Sequence, residues 1–162
     1  MSIIFHLHHI FTELSSQFLL RTLADACRDS VIAIYDPILL HDPFGKVMQR
    51  NLGKLCNEKS SLLHNRTLKD CMTKLKSCGF KRIVACDMKS AYGMVVSEEQ
   101  RLRSNRCEML DEFEEWNLIM CHYSFIIAGT GGEISDVYCA VRESSPLGFV
   151  EGKCLTEENL DT

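Results

Sequence analysis

The sequence predicts an α/β layered domain, and three observations carry that prediction. Apolar runs at Val31–Tyr35, Lys81–Asp87 and Tyr123–Ala128 have the length and β-branched or aromatic content of buried strands. Segments with helical spacing of apolar residues separate them. Hydrophobic residues make up 46% of a 162-residue chain, enough for a single core. Strands alternating with helices bury their apolar sides only by stacking helices over a sheet.

The elements follow in order. Ile3-Ile4-Phe5 is apolar but has no basic residue before it and gives way to His6, His8 and His9, so it is neither an export signal nor a membrane span. Ser15 and Ser16 are expected to cap a helix carrying Phe18, Leu19, Leu20, Leu23 and Ala24. After the Val31–Tyr35 strand, Phe44, Val47, Met48, Leu52 and Leu55 repeat at helical spacing over 44–56. Leu68, Met72 and Leu75 do so over 67–78, where Gly79 supplies a helix stop. The strand over 81–87 leads to a short helical piece near 91–94, and Ser97-Glu98-Glu99-Gln100 has the form of a capping box.

Asp111 is placed to accept from the first free N–H groups of a further helix, with Glu112, Glu114 and Glu115 at its positive end. Phe113, Trp116 and Met120 share one face of that helix and are expected to pack it onto the sheet. The last strand ends at Gly129 and the Gly131-Gly132 pair. From Glu133 the chain is poor in apolar residues and is expected to be partly disordered.

Composition narrows the function classes. A net charge of −4 gives no whole-chain signature of nucleic-acid binding. Nine cysteines are present, an odd number with no C-x-x-C pair. That pattern reads as free thiols in a reducing, cytoplasmic compartment, so the Asn65-Arg66-Thr67 sequon is taken as an ordinary loop. No internal repeat is found.

Three blocks resemble the leucine carboxyl methyltransferase family, and within it the tRNA wybutosine-synthesizing branch more than the phosphatase-methylating one. They are Ile34-Tyr35-Asp36-Pro37 followed by Asp42-Pro43-Phe44-Gly45-Lys46-Val47-Met48-Gln49-Arg50-Asn51-Leu52; Cys78-Gly79-Phe80 with Ala85-Cys86-Asp87-Met88 and Tyr92; and Leu110-Asp111-Glu112-Phe113-Glu114-Glu115-Trp116 with Cys121-His122-Tyr123. The blocks occur in the family's order. The resemblance implies an incomplete Rossmann-like fold of the S-adenosylmethionine-dependent methyltransferases, made of its late strands and helices, with the final two strands at the antiparallel end of the sheet.

It further implies residues 12–132 as the carboxyl-terminal half of a methyltransferase domain, between a divergent segment (1–11) and a flexible tail (133–162). The implied reaction is methyl transfer from S-adenosylmethionine to a carboxylate on phenylalanine tRNA. The alternative substrate is the carboxyl-terminal leucine of the phosphatase 2A catalytic subunit. A third reading is a non-catalytic remnant acting as a binding module. The family's cofactor-side acid and tyrosine fall at His8 and Glu13, and neither matches, so no cofactor-binding residue carries over. The elements that hold the cofactor are expected to lie before Met1.

Ligands in open α/β sheets bind beyond the carboxyl ends of the parallel strands, which places Tyr35 and Asp36 at the substrate pocket. No catalytic residue is identified from the sequence. Other motifs have plainer meanings. His6 and His8 lack a second ligand pair, so no metal is expected. Gly129-Thr130-Gly131-Gly132 reads as a loop rather than a phosphate cradle. The Asp111–Glu115 carboxylates suit a helix start better than acid/base chemistry. Cys121 and His122 are adjacent, which argues against a thiolate–imidazole pair. Trp116 is read as core rather than as a base-stacking platform. Arg101, Arg103 and Arg106 form the best phosphate candidate, though a solvated helix face explains them.

Overall fold

Four strands join into one sheet because each apolar run finds a hydrogen-bonding neighbour. The computed structural model describes residues 2–5, 12–27, 30–38, 41–55, 67–108 and 110–131. Their order is β1 (Ser2–Phe5), α1 (Glu13–Ala26), β2 (Val31–Pro37), α2 (Pro43–Leu55), α3 (Leu68–Ser77), β3 (Arg82–Asp87), α4 (Met88–Val95), α5 (Glu98–Cys107), α6 (Phe113–Cys121) and β4 (Tyr123–Gly129). The sheet order is β1-β2-β4-β3. β1 runs parallel to β2, while β4 is antiparallel to both β2 and β3.

The three strands read from sequence therefore share one sheet, and a fourth, β1, precedes them. β4 is not the edge: it lies between β2 and β3. Pairing on both sides satisfies its backbone, which allows Ile126, Ile127 and Ala128 to be buried without an exposed ladder.

Register decides what faces the core. Ile34 pairs with Ile126 and Ile32 with Ala128, while Ala85 and Ile83 pair with the same two β4 residues from the other side. With Leu20 of α1, and with Leu68, Cys71, Met72 and Leu75 of α3, they form one cluster closed by Cys78 and Phe80. Val84, Cys86 and Ile127 alternate with these residues and are also buried. Lys74 joins α3 to α1 through an ion pair with Glu13 at 3.0 Å.

Local signals account for most helix ends. Thr67 and Asp70 form a reciprocal capping box at α3, and Ser97 and Gln100 form another at α5. Asp87 caps α4, its Oδ1 accepting from Ser90 N–H at 2.7 Å. Gly79 ends α3 at φ 100°, a left-handed conformation that disfavours side chains. The structure corrects two expected caps. α1 is capped by Thr12, which accepts from Ser15 N–H at 3.3 Å, and Ser16 is buried rather than capping. α6 begins after Glu112 with no side-chain cap, and Asp111 is exposed.

α6 also departs from its expected packing. None of its residues is fully buried, and Phe113 is 54% exposed. Trp116 is half-buried, with its ring edge-on to Tyr92 of α4 at 5.1 Å. Of the Phe113–Trp116–Met120 face, Trp116 thus meets α4, while Phe113 stays largely in solvent. His6, His8, Asn65, Gly132 and the segment from Glu133 lie outside the described residues.

Candidate functional site

The carboxyl ends of β2 and β3, where β4 begins, gather residues from all three sequence blocks, while Cys78-Gly79-Phe80 of the second lies at the other end of β3. Asp36 pairs in register with Ser124, and Ser124 Oγ donates to the Asp36 carbonyl at 2.9 Å. Tyr35 points to the other side of the sheet, where its ring stacks on Tyr123 at 5.0 Å and 15°. Burial, then the neighbouring Tyr123, pushes the Tyr35 hydroxyl above the usual tyrosine range. The two residues expected at the pocket therefore occupy opposite faces, as neighbours on a strand must.

Asp36 is 2% exposed and lines a cavity of about 10 Å³ with Cys71, Lys74 and Ser124 among its walls. That space admits about one water molecule. Burial, then the Asp36 charge, pushes the Cys71 thiol up to about 12 and removes it as a nucleophile.

A second cluster was not legible in the sequence. His122, 1% exposed, sits between a near and a distant acceptor: Nδ1 donates to the Leu118 carbonyl, four residues back, at 2.7 Å, and Nε2 lies 3.0 Å from Oδ1 of Asp42, 80 residues away. Asp42 Oδ1 also accepts from Gly45 N–H at 2.7 Å, starting α2, and Phe44 meets the imidazole edge-on at 4.6 Å. The His122 carbonyl accepts from Ile38 N–H at 2.9 Å. Partial burial raises the Asp42 carboxyl, but Gly45 N–H and His122 outweigh it and hold the group below its ordinary value. Both ring nitrogens are engaged, so the dyad is a fastening rather than a base aimed at substrate. Only the identity of the Asp-Pro-Phe-Gly and Cys-His-Tyr blocks hinted at it.

The remaining candidates take structural roles. Arg101 folds back on α4, its guanidinium donating to the carbonyls of Gly93 and Val96 and lying 5.5 Å from the Tyr92 ring centre. It is not available to a phosphate as placed. Thr130 Oγ1 accepts from Ser30 N–H and donates to the Cys27 carbonyl, closing the loop after β4. Cys121 is pushed up by burial, then by Asp87. Among the described residues no three His, Cys, Asp or Glu side chains are placed to hold a metal, and no helix is long and apolar enough to cross a membrane. Six cysteines in the described residues are free thiols.

Among the described residues, those at the sites the resemblance points to do not fit an S-adenosylmethionine cradle. Glu13, at the family's tyrosine position, is taken by Lys74 and by Gln17 Nε2, which donates to it at 2.8 Å. The space beside Asp36 is far too small for a nucleoside.

No family model matches the chain. Individual proteins do. A leucine carboxyl methyltransferase 1 homolog of Arabidopsis thaliana is 35% identical over 94 residues, covering 58% of this chain and 28% of its own. Leucine carboxyl methyltransferase 1 of Schizosaccharomyces pombe is 32% identical over 101 residues, covering 62% and 33%. tRNA wybutosine-synthesizing protein 4 of Homo sapiens is 25% identical over 153 residues, covering 89% and 22%. The chain thus spans about a fifth to a third of the length of these relatives. Their names bear out the family resemblance carried by the three blocks.

Proposed function

We propose that this member of the leucine carboxyl methyltransferase family forms the late-strand end of an S-adenosylmethionine-dependent enzyme that esterifies a carboxylate on phenylalanine tRNA in wybutosine synthesis. The observation that supports a methyltransferase frame is β4 inserted antiparallel between the parallel β2 and β3. The Leu110–Trp116 and Cys121–Tyr123 blocks favour the wybutosine branch, as does an alignment reaching 89% of the chain. Within this reading residues 12–132 are the carboxyl-terminal half of the methyltransferase domain, and the cofactor is held by other parts of the polypeptide. The free thiols support a cytoplasmic location.

A carboxylate is already ionised at neutral pH, so such an enzyme needs positioning and desolvation more than a general base. Residues of this chain serve the first need. The Asp42–His122–Phe44 fastening holds the segment after β2, and with it Tyr35 and Asp36, against the start of β4. We assign Tyr35, with its partner Tyr123, and Asp36 to the substrate side.

A second reading, methylation of the phosphatase 2A carboxyl-terminal leucine, is favoured by the higher identities to leucine carboxyl methyltransferase 1 and by the net charge of −4. The test is transfer of a labelled methyl group by the natural polypeptide carrying these residues, onto hypomodified phenylalanine tRNA and onto phosphatase catalytic subunit. Base-labile label on the tRNA is expected. Label on the phosphatase alone would select the second reading, and label on neither would leave the non-catalytic binding module.

A further inference from the structure

The charge on α2 is arranged unlike that on any other described helix. Lys46, Arg50 and Lys54 recur every four residues and are all exposed, while the helix contains no carboxylate. Among the six described helices it alone carries more than one cation and no acid. Four residues of helix advance about 6 Å, so the three cations form a row about 12 Å long. None of the three has an acidic partner among the described residues. Asp42 lies beside the first turn, but its carboxylate is taken by Gly45 N–H and His122.

We propose that this face of α2 docks the phosphate backbone of an RNA. The proposal rests on the tRNA reading above and adds to it the surface that grips the substrate. A row of exposed cations with no acid between them neutralises successive phosphates and carries no sequence information, as backbone-positioning contacts do. The chain's overall charge of −4 makes such attraction local to this helix. An anionic membrane is a poorer occupant. Surface-lying helices bury a bulky apolar face, whereas among the described side chains of α2 the large apolar one most exposed is Val47, at 47%. The helix is also fixed in place: Asp42 caps it and Phe44 anchors it to the buried His122, so α2 starts close after the carboxyl end of β2, the strand that carries Tyr35 and Asp36.

The test is fluorescence anisotropy of a phenylalanine tRNA transcript with the 162-residue chain across a salt series. Three variants accompany it: Lys46→Gln/Arg50→Gln/Lys54→Gln; the charge-keeping Lys46→Arg/Arg50→Lys/Lys54→Arg; and Lys76→Gln/Lys81→Gln/Arg82→Gln, which removes equal charge from other exposed positions. Circular dichroism establishes that each is folded. The slope of log affinity against log salt is expected to shrink by about 2–3 in the first variant, from three lost phosphate contacts, and to hold in the other two. An unchanged slope in the first variant, an equal loss in the third, or a parent chain that binds phosphatidylserine vesicles but no RNA would each overturn the proposal. Methyl transfer to tRNA by the natural polypeptide together with an unchanged slope would sink this surface and leave the tRNA reading standing. A shrunken slope with methylation confined to the phosphatase would do the reverse.

Discussion

His122 is the residue on which the candidate site turns. A buried imidazole that meets a carbonyl on one nitrogen and a carboxylate on the other is satisfied on both sides, and it ties the end of α6 to the start of α2. Truncation removes a packed ring and leaves the Leu118 carbonyl without its partner, so His122→Ala is expected to lose about 2–4 kcal/mol of stability in denaturant melts. A change under about 1 kcal/mol would mean that the ring is not fastened as described.

Asp42 gives a pH signature. Its folded-state carboxyl sits below the ordinary value, so its stabilising charge is fully present above about pH 4 and is lost as pH falls through the lowered value. Asp42→Asn keeps the acceptor for Gly45 N–H and removes only the charge. Melts of parent and variant are therefore expected to differ near neutrality and to converge on acidification below about pH 4. A constant gap across that range would mean that the Asp42 charge does not stabilise the fold. Neither residue's role was legible from spacing, because contacts between positions 42 and 122 are set by the fold. The sequence showed only that both stand inside family-like blocks.

At the scale of elements, strands and caps were the most legible features. β2, β3 and β4 announce themselves as short β-branched or aromatic runs, and Gly79, Ser97 and Gln100 mark helix ends through local chemistry. β1 was missed because four residues before a run of histidines have too little pattern to be told from a tail. α6 was read correctly as a helix and wrongly as deeply buried, since periodicity gives the apolar face but not how much cover awaits it. Trp116 illustrates the difference. Half-buried against Tyr92, it is expected to lose about 1–3 kcal/mol on substitution by Ala, less than a fully enclosed aromatic. A loss above about 4 kcal/mol in the same melts would restore the core reading.

At the scale of the whole molecule, the three family-like blocks meet at one end of the sheet, except for Cys78-Gly79-Phe80, which stands at the amino end of β3 beside Gly129. The first block meets the third through Asp42 and His122, and the second meets the third through Tyr92 and Trp116. The space beside Asp36, where the first and third blocks meet, is far too small for a nucleoside. The proposal assigns frame and substrate side to this chain, and among the described residues no cofactor site is formed. Calorimetric titration of S-adenosylmethionine into the folded chain tests it most directly. The account predicts no heat of binding at micromolar concentrations, whereas a micromolar dissociation constant, worth about −8 kcal/mol, would contradict it.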